Sequence, residues 1–215
     1  MLHSIFKMGN APIATVLHVS GLSGGPGELS LFCDLSMQLP EGVSALIGDE
    51  GVGKTSLMRL LSGDLTPTAG QLRLSGENTH LTLPQPSAVF WTDLRLPIHD
   101  SNTPAQCWAQ FRASLPAWSN TTQNELIEVL QLAPHLDKKL NMLSTGSRRK
   151  VGLVAALASG ATVTLLDQPF VSLDQTSIRN LQVFLANLGL NPGRVWLIAD
   201  YEKPAHLPLA SVLQL

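Results

Sequence analysis

The spacing of apolar and polar residues changes period along the chain, and each change predicts an element. Residues 14–19 predict a short strand, ended by the glycine-rich turn at 23–27. Leu29, Leu31, Cys33, Leu35, Met37 and Leu39 then alternate with Ser30, Asp34, Ser36 and Gln38, a period of two that marks a half-buried strand or hairpin arm. The apolar run 43–47 leads into a glycine-rich loop, and Leu57, Met58, Leu60 and Leu61 follow at helical spacing. Gly63, Pro67 and Gly70 punctuate a turn, 71–74 alternates again, and 87–91 predicts the next strand.

The middle of the chain is helical. Thr103-Pro104-Ala105-Gln106 supplies an N-cap, a proline at the first helical position and a glutamine that closes a capping box. Thr122-Gln123-Asn124-Glu125 repeats the signal ahead of Leu126, Val129 and Leu130. Strands resume at 163–166 and 195–199, separated by a helix over 175–188, and 211–215 predicts a last strand. One domain is expected over 1–215, with a core made from 14–92 and 151–215 and a helical subdomain at 93–150. Short apolar strands alternating with helices predict an α/β fold with a mostly parallel sheet, here with antiparallel N-terminal strands. Ligands of such sheets bind beyond the carboxyl ends of the strands.

The loop after 43–47 carries the chemistry. Gly48-Asp49-Glu50-Gly51-Val52-Gly53-Lys54-Thr55 fits GxxxxGK[ST] without a mismatch, between a predicted strand and a predicted helix. Its glycines let successive backbone N–H groups face phosphate oxygens, and the helix that starts near Gly53 adds the positive end of its dipole. Lys54 would reach the β and γ phosphates, the Thr55 hydroxyl would ligate Mg²⁺, and Ser56 completes the cofactor-binding run.

Charge narrows the partner classes. The net charge of −2, with only Arg148-Arg149-Lys150 clustered, leaves no basic stripe for a nucleic acid. Charged residues make up only 14% of the chain, which fits a surface partly covered by a protein partner. Cys33 and Cys107 lie far apart and read as ordinary thiols of a reducing compartment. No apolar run reaches the ~18 residues that span a bilayer, and the N-terminus has no signal-peptide pattern, so a cytoplasmic protein is expected. The six histidines show no metal-ligand spacing. Trp108, Phe111 and Leu115 read as one helix face, and Trp91 and Trp118 either as core or as a groove for a partner's helix.

Over nearly its full length the chain resembles the ATP-binding cassette (ABC) ATPase family. LLSGDLTPTAGQLRLSG at 60–76 looks like the family's segment after the phosphate loop. Leu143-Ser144-Thr145-Gly146-Ser147 resembles the LSGGQ signature, keeping its serine and second glycine. The run 162–167 is an apolar strand ending in Asp167, 23 residues after Ser144 as in the family, and Asp167 would hold Mg²⁺ opposite Thr55. Ser172-Leu173-Asp174 matches the loop that contacts the opposite subunit in that family. The short chain resembles the ATPase subunits of small bacterial exporters, the haem-exporter subunit of cytochrome c maturation among them.

Four positions depart from the family pattern. Gln168 stands where a glutamate acts as general base; losing a positioned base costs about 10²–10⁴ in rate, although glutamine can still orient a water. Asp200 stands where a histidine donates to the γ-phosphate, and an ionised aspartate cannot donate. The glutamine that senses the membrane partner has no clear counterpart; Asp93 is the best occupant, Gln85 falling too early. No aromatic residue precedes the loop to stack on adenine, Phe32 being the nearest and reading as core. The resemblance implies an ATP- and Mg²⁺-binding subunit that forms a homodimer or a heterodimer around nucleotide. It would drive a transmembrane transporter subunit from the inner membrane face, with slow or partner-dependent hydrolysis. A non-hydrolysing regulatory module and a soluble non-transport ABC protein are the alternatives.

Overall fold

The computed structural model describes residues 15–27, 30–75, 88–188 and 193–215. The predicted positions Leu29, Gly76, Gln85 and Ser87 lie outside them. Strands β1 (Thr15–Gly24), β2 (Phe32–Pro40) and β4 (Ala69–Leu74) form an antiparallel sheet in the order β2-β1-β4. Strands β3 (Gly42–Ile47), β5 (Val89–Phe90), β6 (Val163–Asp167), β7 (Val195–Asp200) and β8 (Ser211–Gln214) form a second sheet, ordered β5-β6-β7-β3-β8, in which every pairing is parallel. The expected fold class stands.

Strands β3, β6 and β7 are buried on both faces, which is why 43–46, 163–166 and 195–199 read as mostly apolar runs, while the edge strand β8 is half-exposed. Helix α1 (Lys54–Ser62) covers one face through Leu57, Met58, Leu60 and Leu61, all fully buried beside Leu17, Leu39 and Leu72 of the antiparallel sheet. Helices α2 (Pro104–Ser114), α3 (Asn120–Val129), α4 (Thr145–Ala158) and α5 (Gln175–Leu188) lie on the other side, where Trp196 and Ile198 share a core with Trp108, Leu126 and Val154.

Three local expectations are corrected. β1 does not stop at 19 but runs to Gly24, because register shifts between Val19 and Gly24 carry the strand past Gly21. In β2 the predicted alternation breaks at Asp34, whose φ of 59° bulges the strand. Leu31 and Cys33 are therefore exposed while Phe32 turns inward, as its core reading required. The second helix start is not at Thr122: Ser119 is the N-cap of α3, its side chain accepting from the Thr122 amide at 3.1 Å. The first is as expected, with both bonds of the Thr103–Gln106 capping box present. Trp108 and Leu115 are buried and Phe111 packs against them; Trp108 Nε1 donates to the Val151 carbonyl at 3.0 Å, tying α2 to α4. Trp118 is core.

Candidate functional site

Strand register decides what meets at the carboxyl edge of the parallel sheet. Ile47 pairs with Asp200, and Asp167 with Ala199, so the 48–53 loop, Asp167 and Asp200 leave the sheet at one level, with β7 between the other two strands. The loop then closes onto α1, whose N-cap is Gly53 in a left-handed conformation, φ 107°. A Cβ there would lie 2.6 Å from Leu31 Cδ2 and 2.9 Å from Phe32 Cζ, so those side chains would have to shift.

Lys54, only 5% exposed, donates through Nζ to the carbonyls of Gly48 at 2.6 Å and Asp49 at 2.7 Å. An ammonium carries three donors, so a third proton remains for an anion. The Tyr201 ring lies 4.9 Å from Nζ and adds cation–π attraction. Thr55 Oγ1 donates to Asp167 Oδ2 at 2.7 Å, joining positions 112 residues apart in sequence. Asp49, Glu50 and Gly51 are exposed, Val52 and Ser56 half-buried. The first turn of α1 contains no acidic residue to oppose an anion at its N-terminus.

Gln168 and Asp200 adjoin this cradle on the β6 and β7 ends. Gln168 adopts a left-handed conformation, φ 47°, and its amide donates to the Ala199 carbonyl at 2.9 Å. Asp200 Oδ1 accepts from the Tyr201 amide at 2.8 Å. Burial nevertheless pushes the Asp200 carboxyl above its ordinary range; nearby Asp167 adds to the shift, and Lys54 and Arg149 oppose it.

The 144–147 turn begins α4. Ser144 is its N-cap and accepts from the Ser147 amide at 3.1 Å; the two side-chain oxygens lie 3.0 Å apart. Thr145 is exposed, and a Cβ on Gly146 would meet the Ser172 carbonyl oxygen at 2.3 Å. Asp174 caps α5, accepting from the Ser177 amide at 2.8 Å and hydroxyl at 2.7 Å, and pairs with Lys150 at 2.9 Å. These bonds, the Ser177 ones foremost, hold its carboxyl far below the ordinary range.

Asp93 is gripped bidentately by Arg95, with Nε at 2.6 Å and Nη2 at 2.9 Å. Burial opposes the Asp93 charge, but the bonds from Arg95 outweigh it and lower its pKa. The pair lines a cleft of about 50 Å³ with Trp91, Arg149 and Asp167, and Trp91 Nε1 is buried there without a hydrogen-bond partner.

Sequence reading missed three contributors. Arg149 reaches the Asp167 and Gln168 carbonyls, Tyr201 stacks over Lys54, and the Leu215 carbonyl stands 3.0 Å from where a Gly48 Cβ would be. Only the Arg148-Arg149-Lys150 cluster was visible in advance, as charge without a role.

A model of the ABC transporter family matches residues 32–171. The cytochrome c biogenesis ATP-binding export protein CcmA of Sphingopyxis alaskensis is 29% identical over 88% of this chain and 92% of its own length. The taurine import ATP-binding protein TauB of Pseudomonas entomophila is 28% identical over 85% of this chain and 72% of its own. Among solved structures, an ATP-binding ABC transporter protein of Pyrococcus furiosus superposes with a TM-score of 0.70 at 21% identity, covering 93% of this chain and 96% of its own. A nucleotide-free cassette from an ABC transporter gives 0.67 at 18% identity, covering 87% and 81%. These two likenesses speak to the fold.

Proposed function

The chain belongs to the ABC transporter family, and from that premise we propose that it is an ATP-binding subunit that closes a dimer around MgATP and works a membrane partner. The observation that carries this reading is the Thr55–Asp167 contact at 2.7 Å beside the buried Lys54. A hydroxyl and a carboxylate are hard oxygen donors that suit Mg²⁺, and they stand next to an ammonium and an acid-free helix N-terminus that suit phosphate. Thr55 and Asp167 would hold the metal, and Lys54 with the 48–56 backbone the phosphates. Magnesium bound there supplies positive charge that offsets the phosphate oxygens.

Turnover is expected to be slow. A Gln168 amide can orient a water but cannot take its proton, and Asp200 gives no donor while ionised. The exposed Ser144 and Thr145, at the N-terminus of α4, are suited to face nucleotide held by another subunit. Asp93 lines the same cleft as Asp167, which supports a role in sensing the membrane partner. Cargo choice is assigned to the membrane partner, since one relative is named for export and another for taurine import.

Two measurements test the proposal on the purified chain: mass by light scattering with a non-hydrolysable ATP analogue, and phosphate release with magnesium or with EDTA. Nucleotide-dependent dimers and slow, magnesium-dependent release support it. Dimers without any release leave a non-hydrolysing regulatory module, and a monomer under all conditions with no release contradicts the proposal. Among the described residues no helix is long and apolar enough to cross a membrane, so the partner is sought by co-purification from membranes.

A further inference from the structure

Two adjacent arginines at the start of α4 reach in different directions. Neighbours in a helix point about 100° apart, so one turn can hold two separate segments. Arg148 commits three nitrogens to the 94–100 segment: Nε donates to the Leu94 carbonyl at 2.6 Å, Nη2 to the Leu96 carbonyl at 3.0 Å, and Nη1 pairs with Asp100 at 2.6 Å. That segment continues directly from Asp93 and carries Leu96 and Ile98 exposed, Ile98 at 79%. Arg149 turns the other way, and its Nη1 donates to both the Asp167 carbonyl, at 3.2 Å, and the Gln168 carbonyl. Its Nε, at the cleft that Arg149 lines, has no hydrogen-bond partner among the described protein groups.

We propose that Arg149 is a positioning residue that sets the turn carrying Gln168, and that Arg148 couples this turn to the 94–100 segment. Displacement of that segment then moves the first turn of α4, and with it the backbone on which the Gln168 side chain is mounted. The geometry favours transmission because the turn has little slack. Gln168 sits in the left-handed region, its amide is spent on Ala199, and the Val171 amide donates to its carbonyl at 3.3 Å. The hydrolytic consequence rests on the proposed function; the mechanical coupling does not.

Hydrogen exchange of the full chain, compared with Arg149→Ala and Arg148→Ala, separates the two. Arg149→Ala is expected to speed exchange of the Gln168 and Val171 amides about tenfold or more while leaving the Leu57 amide, inside α1, unchanged. Arg148→Ala is expected to speed the Leu96 and His99 amides and also, though it touches neither, those of Gln168 and Val171. Uniform acceleration, or no change at Gln168 in Arg149→Ala, overturns the positioning role. An Arg148→Ala effect confined to 94–100 overturns the coupling. In the same preparations, phosphate release per nucleotide bound should fall in Arg149→Ala with KM for MgATP unchanged; because the rate is counted per bound nucleotide, loss of folded protein would not lower it. If the unaltered chain releases no phosphate, the hydrolytic reading fails, and the exchange data still decide the arginines.

Discussion

Two halves of one strand edge differ sharply. The half that would hold phosphate and metal, from Gly48 to Ser56 with Asp167, keeps the residue types of the loop motif, and the fold holds it through Lys54, Thr55 and a Gly53 in the left-handed region. The half that would time the reaction, Gln168 and Asp200, adjoins it on the same sheet but presents an amide and a desolvated carboxylate. On the proposed function, gripping a nucleotide and turning it over would fall to separate residues on neighbouring strand ends.

The largest expected effect follows from restoring the missing base. Gln168→Glu should raise phosphate release by about 10²-fold, the lower end of what a positioned base contributes, with nucleotide affinity little changed. A parallel loss of affinity would show that the two halves are not separable. Lys54→Ala should act on the opposite half, weakening MgATP binding by roughly 10- to 100-fold, as expected for one charge-assisted bond, which titration calorimetry reads directly. Gly146→Ala tests the fold around the signature turn: a Cβ 2.3 Å from a backbone oxygen forces α4 and the 172 loop apart, costing about 1–3 kcal/mol in denaturant unfolding.

The smallest effect concerns Asp200. Its carboxyl binds a proton more tightly folded than unfolded, so ionisation costs stability as pH rises through the folded pKa, and nothing is lost below the unfolded value. Asp200→Asn should therefore melt higher than the parent at pH 8, and the gap should shrink toward pH 4.5. A constant gap would mean that the carboxylate is not desolvated.

Much of this was legible in the sequence where a local rule is strict. A strand, a GxxxxGKT loop and a helix could adopt little else, and the apolar run before Asp167 marked a parallel strand buried on both faces, while a metal role for that carboxylate was only what the resemblance implied. Legibility failed where a contact depends on packing between distant elements. The bulge at Asp34 gives no periodic signal, since one left-handed residue inverts the alternation after it. Arg149 looked like part of a basic cluster because only the approach of α4 to the β6 end brings carbonyls within its reach. Tyr201 is one residue beyond a strand and owes its place over Lys54 to the alignment of β7 with β3.

The central claim is that the turn from 48 to 55 holds the phosphates of ATP. Calorimetric titration of the unaltered chain with ATP, run with magnesium and then with EDTA, tests it most directly. The account predicts saturable one-site binding that weakens without the metal and is largely lost in Lys54→Ala. Absence of heat and of any fluorescent-nucleotide displacement at millimolar MgATP, from folded protein, would contradict it.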